Sequence, residues 1–171
     1  VDDRRHDRGI GSDGGVITLA PYDIAHRDAL LAVAVRDDQV VFSGQPHEVI
    51  DLNLPQLDMH VILENGTPVG MFRIDRAYHT HHIFAEEVSV GLRTFLIDQN
   101  AQGRGIAKAV CTQLRGYLRP LYPAKASVFL TVNLRNPAAK AVYVHGGFKD
   151  TGAQLMKGLA GPQNILKLTL V

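Results

Sequence analysis

An apolar run, Gly91 to Ile97, passes through Asp98-Gln99-Asn100-Ala101 into Gln102-Gly103-Arg104-Gly105-Ile106-Ala107, and a long amphipathic stretch leaves that hexad. A strand that becomes a helix across two glycines restricts the chain to α/β arrangements. With no Cβ in the way, a ligand can approach the backbone there. The first N–H groups of the helix lack intrahelical partners, and the helix dipole adds partial positive charge. Such a place attracts phosphate or pyrophosphate. The dinucleotide pattern G-x-G-x-x-G fails, because Lys108 stands three residues after Gly105. The Gly-Lys-Ser/Thr of a nucleotide-triphosphate loop is missing too. A plain helix start with a tight turn explains the glycines equally well.

The rest of the chain reads as alternating elements. Residues 1–15 are polar, aperiodic and begin without Met, so a disordered, trimmed tail is expected before a single domain over 16–171. Val16 to Leu19 suits a first strand. Asp23 can cap a helix running through Ala25, Leu30, Leu31 and Val35. Gly44 and Pro46 break the chain before a short helical piece, His47 to Leu52. Met59 to Leu63 and Val69 to Ile74 flank Asn65-Gly66, a strong hairpin signal. Asp75 to Glu87 has no firm pattern. Ile106, Val110, Cys111, Leu114, Tyr117 and Leu118 share one helical face, which Pro120 ends. Ala126 to Val132 is a second strong strand, and Gln154 to Val171 reads as two strands around Lys157-Gly158-Leu159-Ala160-Gly161-Pro162.

Composition excludes several function classes. The formal charge of +1 gives no broad basic field for nucleic acid or an anionic membrane. No apolar stretch approaches a membrane span, and the charged start lacks the apolar core of a secretory signal. The single cysteine, Cys111, cannot form an internal disulfide and falls on the apolar face, so a core role and a cytoplasmic location are expected. His79, His81 and His82 lie close together, but no Cys or suitably spaced carboxylate joins them, and no metal is expected. Segment 36–58 carries Asp37, Asp38, Glu48, Asp51 and Asp58. It reads either as a solvated face or as an acidic mouth that draws in a cationic amine.

A second motif follows the strand that ends at Val132. In Asn136-Pro137-Ala138-Ala139-Lys140-Ala141-Val142-Tyr143, Asn136 suits an N-cap and Pro137 the first helical position, while Gly146 suits a left-handed C-terminal cap. Those rules leave Tyr143, two turns up the helix, unexplained. Gln102 to Ala107 fits Q/R-x-x-G-x-G/A, and residues 136–148 fit Asn-x-x-Ala-x-x-x-Tyr-x-x-x-Gly-Phe one helix and one strand later. In both motifs and their order the chain resembles the GNAT (GCN5-related) family of acyl-CoA N-acyltransferases.

The resemblance implies a mixed, twisted sheet with helices on both faces and a splayed central pair, Gly91–Ile97 and Ala126–Val132. Backbone groups of Phe95, Leu96 and Ile97 would pair with the pantetheine arm of acetyl-CoA, the cosubstrate. Gln102 opens the turn, and the N–H groups of Gly103, Arg104, Gly105, Ile106, Ala107 and Lys108 would hold its pyrophosphate. Asn136 would bond the pantetheine arm. Tyr143, if not merely a buried tyrosine, would donate to the coenzyme A sulfur as general acid. A primary amine, expected to be a small molecule, would attack the thioester directly, with an N–H near Leu96 serving the oxyanion. Relatives often carry a Glu near the start of the strand before the turn; here Gly91-Leu92-Arg93 has no carboxylate. Glu87 acting through water is the expected base, with His79 to His82 as substitutes, unless the amine arrives neutral. Acetylation of a protein N-terminus or lysine, and a non-catalytic acetyl-CoA sensor, are the rival readings. Family members often dimerise through strands, so a homodimer is the implied assembly, although no residue here specifies it.

Overall fold

The computed structural model describes residues 9–10, 14–158 and 160–171. Most of the expected tail, residues 1–15, and Leu159 of the closing turn lie outside the described residues. Within that tail, Gly9–Ile10 (β1) pairs antiparallel with Val16–Ile17. There follow β2 (Val16–Pro21), α1 (Arg27–Leu31), α2 (Asp37–Ser43), α3 (Pro46–Val49), β3 (Leu57–Glu64), β4 (Thr67–Asp75) and β5 (Ser89–Ile97). The chain continues through α4 (Ile106–Leu121), β6 (Ser127–Asn133), α5 (Pro137–His145), β7 (Lys149–Leu155) and β8 (Gln163–Thr169). One sheet runs in the order β1-β2-β3-β4-β5-β6-β8-β7. Every neighbouring pair is antiparallel except β5–β6.

Strand alternation sends successive side chains to opposite faces, and both faces are covered. Ile62, Phe72 and Ile74 pack with Ile106, Val110, Leu114 and Leu118 beneath α4. Their neighbours Val61 and Met71 pack with Leu30, Val33 and Ile50 of the α1–α3 side. Each fully buried aliphatic chain contributes on the order of 1.5–3 kcal/mol, so α4 is held by its stripe more than by its caps. The β3–β4 hairpin turns on Asn65 (φ 50°) and Gly66 (φ 83°), the positive angles a two-residue turn requires.

Several local expectations need correction. Asp23 does cap, accepting from the Ala25 N–H at 2.8 Å, but α1 stops at Leu31 and does not reach Val35. Segment 37–43, to which the sequence pattern assigns no element, is helix α2. Gly146 is not left-handed (φ −75°); Gly147 is, at φ 102°. Gly146 instead permits close helix packing, since a Cβ there would stand 2.5 Å from Cys111 Cβ. That contact seats α5 on α4. Strand β7 begins at Lys149, earlier than the expected Gln154.

Two irregularities open the centre of the sheet. β5 and β6 are in register only at Ser89↔Ser127, Val90↔Val128 and Gly91↔Phe129, after which they separate. On the other side of β5, Met71 pairs with Leu96 and Arg73 with Arg93, so Thr94 and Phe95 together face Phe72. This is a β-bulge, with Thr94 at φ 50°, and it bends β5 away from β6.

Candidate active site

Where β5 and β6 part, a cleft of about 1310 Å³ opens. Phe95, Leu96 and Ile97 form one wall, and Leu130 to Asn133 form the other. Beyond Gly91 and Phe129 the facing edges of these strands have no ladder partner among the described residues. A free edge of this kind accepts an extended, amide-bearing ligand as an added strand would. The glycine turn closes one end, and Tyr78 and His82 lie toward the other.

Gly103 (φ 74°) and Gly105 (φ 77°) both take left-handed angles, and a Cβ at Gly103 would meet nothing within 4 Å. The turn therefore faces open space. Gly105 is the N-cap of α4, so the helix starts at Ile106, and Gly103, Gly105, Ile106, Ala107 and Lys108 line the cleft. Gln102 fixes the turn from within by donating to the Ile97 carbonyl (2.9 Å) and to Gln39 Oε1 (2.8 Å). This ties β5, the turn and α2 together. The Arg104 side chain does not line the cleft. Its guanidinium forms a bidentate pair with Glu64, 2.8 Å on each arm, and braces the turn against the hairpin.

Asn136 and Tyr143 of α5 line the opposite side. The Asn136 side chain accepts from the Ala139 N–H at 3.2 Å, so its acceptor oxygen is spent on the cap and only its amide N–H groups are free to donate. The Tyr143 ring meets Phe95 and Phe148 edge-on, with centroids at 5.9 and 5.7 Å. Part of it still faces the cleft. No described residue hydrogen-bonds its hydroxyl. Burial, and then the Cys111 thiol, raise this phenol far above its ordinary range, so it stays a proton donor at any physiological pH. Cys111 is itself core, its thiol pushed up to about 12 by burial.

Glu87 is exposed, and the structure does not bring it to the cleft; Lys125 donates to its backbone carbonyl at 2.7 Å. Of the three nearby histidines only His82 lines the cleft, its ring 4.0 Å from that of Tyr78. Burial, and then Arg93, lower its pKa, which leaves it neutral at pH 7. Tyr78 lies over β5 because a Cβ at Gly91 would fall inside its ring, and its hydroxyl bonds Thr131 of β6. Among the described residues no group of three His, Cys, Asp or Glu comes together as metal ligands.

The acidic segment does not form one mouth. Asp51 is paired with Arg27 at 2.6 Å, Asp58 with Arg76 at 3.1 Å, and Glu48 caps Gln45 at 2.7 Å. Only Asp38 lines the cleft, and Arg36 stands 3.3 Å from it. Sequence reasoning missed the basic lining, which includes Arg73, Arg93, Arg135 and Lys157. The available signal was Arg73, a charge on the strand face where alternation with Met71 leads one to expect an apolar residue.

Residues 21–148 match the family model for the acetyltransferase (GNAT) family. The chain belongs to the GNAT family. It is an acyl-CoA-dependent N-acyltransferase of the N-acetyltransferase type. An N-acetyltransferase of Bacillus subtilis (strain 168), YbbJ, uncharacterized by its own description, is 28% identical over 153 residues, covering 88% of this chain and 95% of the relative. An aminoglycoside acetyltransferase, AAC(6')-Ib, solved with paromomycin and acetyl-CoA, has a TM-score of 0.70 at 17% identity, covering 90% of this chain and 93% of that one. A spermidine N-acetyltransferase chimera, from Vibrio cholerae SpeG and hSSAT, has a TM-score of 0.66 at 15% identity, covering 90% and 96%. At these identities the solved structures speak for the fold of this GNAT member. No helix among the described residues is long and apolar enough to cross a membrane.

Proposed function

We propose that this GNAT member moves an acetyl group from acetyl-CoA to the primary amine of a small molecule by direct attack, with Tyr143 as the proton donor to the departing sulfur. One observation supports this reading: a single cleft joins the open glycine turn, an edge of β5 and a phenol hydroxyl, the last two without partners among the described residues. The N–H groups from Gly103 to Lys108 hold the pyrophosphate, where the helix dipole adds to their attraction. The free edge at Phe95, Leu96 and Ile97 pairs with the pantetheine amides, and Asn136 donates to the same arm. Solved relatives of this fold hold acetyl-CoA or coenzyme A, which supports acetyl-CoA as the cosubstrate.

The amine lone pair forms the N–C bond, an N–H at the bulge near Leu96 receives the developing oxyanion, and the C–S bond then breaks. The ammonium formed by attack must lose a proton, and the thiolate must gain one. His82 is neutral at pH 7 and faces the cleft, so it takes the first task in place of Glu87. Tyr143 takes the second. Its raised pKa keeps the phenol protonated, and the negative charge that develops on the departing sulfur draws the proton across the hydrogen bond.

Tyr143→Phe should lower kcat by roughly 100-fold or more and leave the heat of acetyl-CoA binding in a calorimeter unchanged. Equal turnover would remove Tyr143 from the chemistry. In the same assay, His82→Gln should flatten the acidic limb of kcat/KM, which in the parent lies below the ordinary imidazole range because burial lowers the His82 pKa. An unaltered limb would exclude that imidazole.

A further inference from the structure

Arg73 of β4 and Arg93 of β5 stand directly opposite each other in the ladder. The extra residue at the Thr94–Phe95 bulge puts Arg93 on the same face as Leu96, and Arg73 shares that face with Met71. Both guanidinium-bearing side chains line the cleft. Like charges at directly opposite positions destabilise a sheet unless something compensates.

Compensation on the page is half complete. Arg93 pairs with Asp75 at 3.0 Å, a carboxylate only 1% exposed. Arg73 has no carboxylate partner among the described residues. Its Nε and one terminal nitrogen both donate to the Thr94 hydroxyl, at 3.0 and 2.6 Å, and its remaining donors have no partner among the described residues. Burial, and then the field of Arg93, depress this guanidinium below its ordinary range. Asp75, paired with Arg93, gives Arg73 only its more distant field, so this half-buried cation has no carboxylate of its own, and an anion from the ligand would relieve it. Lys157 and Arg135 add positive charge to the lining, against Asp38. A polycation would meet repulsion here.

We infer that the acceptor is a compact amine carrying its own oxyanion, a carboxylate or a phosphate, which Arg73 grips beside Arg93 while the amino group faces the thioester. The inference rests on the acetyl-transfer reading above. Position supports compactness: Arg73 holds Thr94, the next residue is Phe95, and the Phe95 ring touches Tyr143. Planar guanidinium with free donors suits bidentate recognition of either oxyanion.

The test is a thiol-release assay with matched acceptors: α- and ω-amino acids, their carboxamides, the corresponding simple amines, aminoalkyl phosphates and spermidine. The expected result is kcat/KM favouring the oxyanion-bearing member of each set; the carboxylate and phosphate arms tell which oxyanion is used. Arg73→Gln should raise KM for that acceptor roughly 10- to 100-fold and collapse its ratio to the carboxamide. The desamino carboxylate should inhibit the parent protein competitively against the amine, which tests the subsite even if the variant fails to fold. Preference for spermidine or carboxamides, an unchanged ratio in Arg73→Gln, or no competition by the desamino acid would overturn the inference. Absence of any acetyl-CoA binding heat would instead overturn the transfer reading beneath it.

Discussion

At the scale of single residues, His60 shows how a buried titratable group limits acid tolerance. It is 3% exposed, stacked on Phe72 at 5.0 Å, and bonded to Tyr117 at 2.8 Å and Tyr122 at 3.0 Å. Tyr122 donates to Asp58 at 2.8 Å, so its oxygen must accept from His60 Nε2–H; Nδ1 then accepts from Tyr117, and the ring is neutral. Burial pushes its pKa down to about 4. Unfolded, the imidazole gains its proton near pH 6.5. Between those values the unfolded chain binds more protons, so stability falls as pH drops from about 6.5 toward 4. The loss at pH 4 and below should be on the order of 3 kcal/mol, read from urea midpoints across pH. His60→Gln should flatten the curve over that window; an equally steep one would acquit His60.

At the scale of elements, the contact between α5 and α4 sets where Tyr143 stands. A methyl at Gly146 would press on Cys111 Cβ at 2.5 Å and on its backbone at 2.7 Å, and neither is the end of a flexible chain. Gly146→Ala should cost about 1–3 kcal/mol of stability by chemical denaturation and lower kcat as the phenol shifts. Unaltered stability would mean the helices separate without strain. Gly146, set beside Gly66, shows what local grammar can and cannot reveal. Asn65-Gly66 and Asn136-Pro137 were legible because turn and cap chemistry is confined to a few neighbouring residues. Gly146 looked like a cap, but its requirement comes from Cys111, far away in the chain. Helix α2 was not legible for a related reason. It has no side-chain cap, and Gln39 reaches across to Gln102 to help hold it.

At the scale of the molecule, the order of apolar runs and the glycine turn marks out the main strands and helices, while the two covered faces and the splayed pair are what the resemblance carried by the two motifs implies. The proposed cofactor half could be read from the motifs, since residues 95–97, 102, 103 and 105–108, which line the cleft, come from two short stretches of chain. The acceptor half could not. Its proposed members come from β4, the segment before β5, β5 itself and β6, and only the tertiary fold brings Arg73, His82, Arg93 and Thr131 together. Composition misled for the same reason: the carboxylates of segment 36–58 are mostly consumed by local partners, which no count of charges reveals.

Because, among the described residues, three registered pairs from Ser89↔Ser127 to Gly91↔Phe129 and the Ala126 N–H bond to the Val88 carbonyl are what stitch β5 to β6 by backbone, the proposed ligand would complete the fold as a missing strand. Amide deuteration should be rapid at the inward-facing N–H groups of Leu92–Ile97 and Leu130–Val132 in the free protein, and slow once acetyl-CoA is bound. Equal labelling with and without it would mean that the gap is bridged by something other than the thioester's own amides.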